Sequence, residues 1–84
     1  MSAIAIEYYG KRFGSDVPNT FIHIVREIGE LARAIESNNT DLAKMEITET
    51  AALLFFLAEK YGLNLMDNME SIYRKKLEKL QSQT

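Results

Sequence analysis

Apolar residues recur along this chain at three- and four-residue intervals, interrupted at three places by polar clusters or a glycine. That period belongs to helices rather than strands. The first segment runs from about Ala3 to Phe13 and is closed by Gly14; the stretch from Ser15 to Asn19 then turns around the single proline, Pro18. Asn19 or Thr20 is the expected cap of a second helix reaching about Ser37. On it Phe21, Ile24, Val25, Ile28, Leu31, Ala32 and Ile35 recur as one stripe, expected to face the core. Asn38 and Asn39 end that helix, and Asn39 or Thr40 opens a third that runs to Tyr61, with Gly62 as its stop. Asn64 or Asp67 opens a fourth, to about Leu80. The pattern therefore predicts an all-α fold, a bundle of about four helices in which the last three, joined by short turns, pack antiparallel.

The 84 residues amount to one domain, and a domain this small buries a modest share of its surface. There is no cysteine to staple it and no Cys/His cluster for structural zinc, so a partner subunit is the expected source of further burial. The run from Ala51 to Ala58, AALLFFLA, is apolar all round, whereas a surface helix of a monomer shows a polar face. Phe55 should point away from the rest of its helix's core stripe and bury itself against another copy. A homodimer or homotetramer is expected.

Charge adds an asymmetry. Twelve acidic residues face ten basic ones, with no basic tail, so a duplex nucleic acid partner has no electrostatic footprint. Acids outnumber bases between Phe21 and Lys60, while the fourth helix carries Arg74, Lys75, Lys76 and Lys79 against Glu70 and Glu78. The N-terminal MSAIAIEYYG has no basic region and too short an apolar stretch for a signal peptide, and no apolar run approaches membrane-spanning length. The expected compartment is the cytoplasm, away from membranes.

Against this background, Glu27 with Glu30 and Glu46 with Glu49 form two pairs of identical spacing on successive helices. A three-residue separation puts both carboxylates of a pair on one helix face, so antiparallel packing can aim all four at one place. At 100° per residue Glu27 borders the apolar stripe, with Glu30 further round beside His23 and Ala34. Glu46 and Glu49 share the arc of Leu42, Leu53, Phe56 and Leu57, which is the arc a helix buries. An ionised carboxylate in an apolar interior needs a counter-charge or takes up a proton, and no lysine or arginine shares that stripe nearby. An all-oxygen ligand set favours a hard cation, magnesium first and manganese or calcium after it. Gly29, between Glu27 and Glu30, costs about 1 kcal/mol relative to alanine in a helix, which close approach of another backbone would explain. Solvated ExxE faces bonded to lysines are common on helices, and for either pair alone that is the plainer reading.

The segments REIGELARAI (Arg26 to Ile35) and EITETAALLFFLAEKYGLNL (Glu46 to Leu65) resemble the MazG-like all-α nucleoside triphosphate pyrophosphohydrolases. The signature of that family is an ExxE pair on one helix, an ExxD pair on the next and a trailing apolar stretch that ends in a glycine turn. The resemblance implies that Glu27, Glu30, Glu46 and Glu49 hold magnesium, with Glu49 standing where aspartate is usual. It implies hydrolysis of a nucleoside triphosphate between its α and β phosphates, in dimers or tetramers with sites near the subunit interfaces. Glu30 or Glu49 would then activate the water, and Lys75 and Lys79, one helical turn apart, would clamp the outer phosphates. The last helix departs from the pattern at Ile72 and Lys76, where a lysine and an asparagine are common. Tyr8, Tyr9, Phe13, Phe21 and His23 are candidate walls for a base, though packing is the simpler role for the aromatics.

Two other readings compete. A carboxylate-bridged di-iron bundle also gathers glutamates from helices, but it uses an ExxH pair on each of two helices and this chain has a single histidine. The non-catalytic alternative is a helical oligomerisation or nucleotide-binding module.

Overall fold

The computed structural model describes residues 2–83, and these form four helices: α1 (Ala3–Phe13), α2 (Val17–Glu36), α3 (Thr40–Lys60) and α4 (Leu65–Ser82). The all-α expectation holds, and every helix start is chemically marked. The Ser2 hydroxyl accepts from the Ala5 N–H, and Asn39 and Asn64 accept from the Leu42 and Asp67 N–H groups at 3.1 Å. Each side chain satisfies one of the orphan donors that open a helix.

The start of α2 differs from expectation. Asp16, not Asn19 or Thr20, is the cap, its carboxylate accepting from the Asn19 N–H at 3.0 Å. Proline explains the shift: Pro18 has no N–H to satisfy and its fixed φ suits a first helical turn, so the helix starts before it. Thr20 is instead fully buried, its hydroxyl donating to the Asp16 carbonyl at 2.8 Å. Between α2 and α3 the chain reverses in three residues, with Asn38 in the left-handed region at φ 54° and the Asn39 N–H donating to the Ala34 carbonyl. So short a link makes α2 and α3 an antiparallel hairpin.

The core is aromatic and lies where α1 crosses that hairpin. Tyr9 and Phe13 of α1 pack with Ile24 of α2 and with Leu53 and Phe56 of α3. The rings of Tyr9 and Phe13 stack with centroids 5.9 Å apart, and Phe56 tilts against both at 6.1 and 6.5 Å. Such aromatics supply much of a small domain's buried area.

Three expectations fail, all for one reason. The inward face of α2 is Thr20, Ile24, Glu27 and Ala34, with Leu31 half-buried, whereas Phe21, Val25, Ile28, Ala32 and Ile35 face outward. The stripe read as a single core face is thus two faces about 100° apart, and α1 and α3 cover only the one that carries Glu27. On α3, Leu42 is exposed, while Phe55 is half-buried and lines an open apolar hollow with Ile6, Ala51 and Ala52. The fourth helix contributes no buried residue and makes no more than marginal contact with any other helix, so the bundle is three-helical with a projecting arm.

That arm leaves its mark on the dimensions. The radius of gyration is 15.5 Å, against about 12 Å for a compact chain of this length. The accessible surface is 6454 Å², where a compact 9.6 kDa monomer exposes about 5,100 Å². Among the described residues no helix is long and apolar enough to cross a membrane.

Candidate metal centre

The inward face of α2 and the Glu46 arc of α3 meet across the hairpin. There Glu27, Glu46 and Glu49 each offer a carboxylate oxygen, and the three oxygens lie within 4.8 Å of one another. Glu27 is 9 % exposed and Glu46 4 %, while Glu49 is half-buried. Periodicity placed Glu46 and Glu49 on a buried arc correctly. It put Glu27 at a border, yet Glu27 lies as deep as they do because its face, not the apolar one, meets α3.

Glu30 stands apart. Half-buried one turn further along α2, it is not among the carboxylates that converge, so three of the four expected ligands come together. The other expected site residues are more scattered. Phe13 is part of the core, and the ring of His23 tilts against it with centroids 5.1 Å apart, which makes His23 a packing partner of α1. Tyr8 and Phe21 are more than half exposed. Lys75 and Lys79 lie exposed on α4, and the projecting arm does not bring them to the carboxylates.

The electrostatics of the cluster are those of crowded like charges. Glu27 Oε2 and Glu46 Oε2 are buried with no hydrogen-bond partner, as is the Thr50 hydroxyl oxygen one turn after Glu46. Among the described residues the one ion pair joins Arg74 to Glu70 on α4, so no lysine or arginine neutralises the three glutamates. Arg12 sits over the rings of Tyr8 and Phe13, and Lys60 over Phe56 at 4.5 Å. Without a cation Glu27 is the member of the cluster that holds a proton most tightly. Hydrogen bonding to Glu46 and then to Glu49, followed by burial, pushes the Glu27 carboxyl up to about 8.

Tyr9, a candidate wall for a base in the sequence, stands instead beside the carboxylates, which the sequence reading did not foresee. Burial, then the charges of Glu49 and Glu27, raise its phenol above the ordinary value, so its hydroxyl keeps its proton beside the carboxylates. The one available signal was its position four residues before Phe13 on the buried face of α1. Thr50 was legible in principle, at four residues beyond Glu46 in the run EITET. Gly29 has open space where a Cβ would stand, so no backbone of this chain approaches it.

The donor set passes a simple fit test for a hard cation. All three donors are carboxylate oxygens, two of the groups carry orphaned buried oxygens, and the remaining ligand positions are left to water or substrate. Opposite oxygens around magnesium stand about 4.2 Å apart and around calcium about 5 Å, so a spread within 4.8 Å needs at most a small side-chain adjustment. Histidine and cysteine ligands, which zinc and iron prefer, are absent from the cluster. No family model, curated protein or solved structure matches this chain.

Proposed function

We propose that this protein is a magnesium-dependent hydrolase that cleaves a nucleoside triphosphate between its α and β phosphates, releasing nucleoside monophosphate and pyrophosphate. The observation that carries the reading is the buried, unneutralised meeting of Glu27, Glu46 and Glu49. Desolvated carboxylates without counter-ions weaken a fold, and a cation turns that weakness into a binding site. The resemblance of Arg26–Ile35 and Glu46–Leu65 to MazG-like pyrophosphohydrolases supplies the substrate class. Magnesium held by these glutamates, with manganese as a substitute, would supply the positive charge that offsets the phosphate oxygens in the transition state.

The residues of the chain then divide the work. Glu27 and Glu46, buried on facing helices, hold the ligand oxygens in place because neither can relax into solvent. Glu49 is the member of the cluster that reaches solvent, so it takes the proton of a water attacking the α phosphorus as the bond to the bridging oxygen breaks. Glu30, next along the same helix, serves the outer edge of the site. Protonated Tyr9 can donate to a carboxylate and keep it oriented. His23 of α2, half-buried on the core ring of Phe13, is the candidate of that pair for contact with the base, and Lys75 and Lys79 meet the outer phosphates once α4 has found its place in a homodimer or homotetramer in the cytoplasm.

Incubation with a panel of canonical and modified nucleoside triphosphates plus magnesium should release pyrophosphate from at least one of them. No product from any, with the oligomer intact, would sink the hydrolase reading. A non-catalytic oligomerisation or nucleotide-binding module is the second reading, and one observation favours it: the two lysines stand apart from the carboxylates within the chain.

A further inference from the structure

We infer that α4 is an exchanged arm: in solution it lies along the outer apolar face of α2 in a second copy of this chain, which returns its own α4. Both surfaces lack a partner within the chain. On α4, Met66, Met69, Tyr73, Leu77 and Leu80 form an exposed stripe, and on α2 Phe21, Val25, Ile28 and Ile35 form another. Each spans fourteen residue steps, about 21 Å of helix, so the two match in length as well as in period.

The link to α4 leaves the arm standing off its own hairpin. Four residues, Tyr61 to Asn64, join α3 to α4. Gly62 takes φ 63°, the Leu63 N–H donates to the Ala58 carbonyl, and Asn64 caps the new helix. The link projects α4 away from its own hairpin with no more than marginal contact to any other helix, which leaves the element available for exchange between identical chains. The surface left over is sufficient. The excess over a compact monomer is roughly 1,300 Å², and each partner in a standard interface contributes about 800 Å².

Charge selects α4 over a second α2 as the occupant. The chain up to Asn64 carries nine acidic residues and six basic ones, whereas Arg74 to Lys79 holds four basic residues and Glu78. Pairing α2 with α2 would bring two acidic bodies together, while α4 brings cations to an acidic body. Gly29, open on the outer side of α2, lets the incoming helix approach closely, which accounts for a glycine in mid-helix.

The inference deepens the expected association and is independent of the phosphate chemistry. The chain has no cysteine, so an introduced thiol is unique. Ile28 and Tyr73 are the midpoints of their stripes and meet whichever way the helices run. Ile28→Cys and Tyr73→Cys chains, unfolded and refolded together and treated with a short bis-maleimide, should link to each other several-fold more than either links to itself. Sedimentation of the unmodified chain should show a dimer or larger. A dimer linking mainly Ile28→Cys to itself would overturn the exchange while leaving association intact. So would an intrachain link in the dilute double variant, or a monomer whose α4 binds anionic phospholipid vesicles instead.

Discussion

Raising the pH of the metal-free protein should weaken it across neutrality, and removing one charge by Glu27→Gln should abolish that effect. The Glu27 carboxyl stands near 8 in the folded chain against 4.5 for the free group, because it shares hydrogen bonds with Glu46 and Glu49 and is buried. Below pH 4.5 both folded and unfolded chains hold this proton, and stability does not depend on it. Between 4.5 and 8 the unfolded chain gives up a proton that the folded chain keeps, so each pH unit removes up to about 1.4 kcal/mol of stability. Above 8 both have lost it and the whole penalty stands. The full shift of Glu27 corresponds to about 5 kcal/mol as an upper bound, and on the order of 3 kcal/mol is the working figure for a group that interacts with close neighbours. That is a large part of the 5–15 kcal/mol that holds a typical domain together.

The assay is thermal unfolding by circular dichroism at fixed protein concentration, from pH 5 to pH 9, with a chelator present. The native chain should lose stability steadily through this range. The Glu27→Gln variant should be nearly flat, and at pH 9 should melt higher by roughly 12–24 °C, using about 4–8 °C per kcal/mol for a domain of this size. Saturating magnesium or manganese should restore the native chain at pH 9 and leave the variant unmoved, since binding to the folded state alone stabilises it. Parallel profiles for the two proteins in chelator would refute the picture of a buried cluster sharing its proton.

Other expectations follow from separate parts of the molecule. Glu46→Gln should abolish metal binding by calorimetry and any pyrophosphate release, with folding retained or improved in chelator; unchanged turnover would remove Glu46 from the ligand set. Asp16→Ala should cost about 1 kcal/mol in urea unfolding through loss of the α2 cap, whereas Asn19→Ala, at the position first expected to cap, should change stability by a few tenths. Phe56→Ala, which opens the centre of the aromatic core, should cost about 3–5 kcal/mol and leave the chain largely unfolded. Lys75→Ala with Lys79→Ala should raise KM for a triphosphate while sparing cation binding, and an unchanged KM would dissociate α4 from the substrate.

Local chemistry made much of this protein legible before any coordinates. The four helices follow from apolar period and from Asn and Gly at their ends, because capping and left-handed stops act within a few residues. The proline that moved the α2 start to Asp16 is also a local effect and was open to a stricter reading. Glu46 and Glu49 were identified as inward-facing from their arc alone, since α3 has one buried side there.

What the one-dimensional pattern does not contain is which face of a helix its neighbours choose. Two arcs of α2 qualify, one apolar and one carrying Glu27 and Thr20, and only the packing of α1 and α3 decides that the polar arc goes inward. Burial of Glu27, its shared proton and the company of Tyr9 all follow from that choice. The same holds for α4, which the short turns led one to expect as a fourth, antiparallel wall of the bundle. The helix stands off the hairpin instead and buries no residue. Helices are dictated by neighbours in sequence, whereas their mutual arrangement depends on surfaces brought together by the whole chain and, for the outer face of α2, by a second copy.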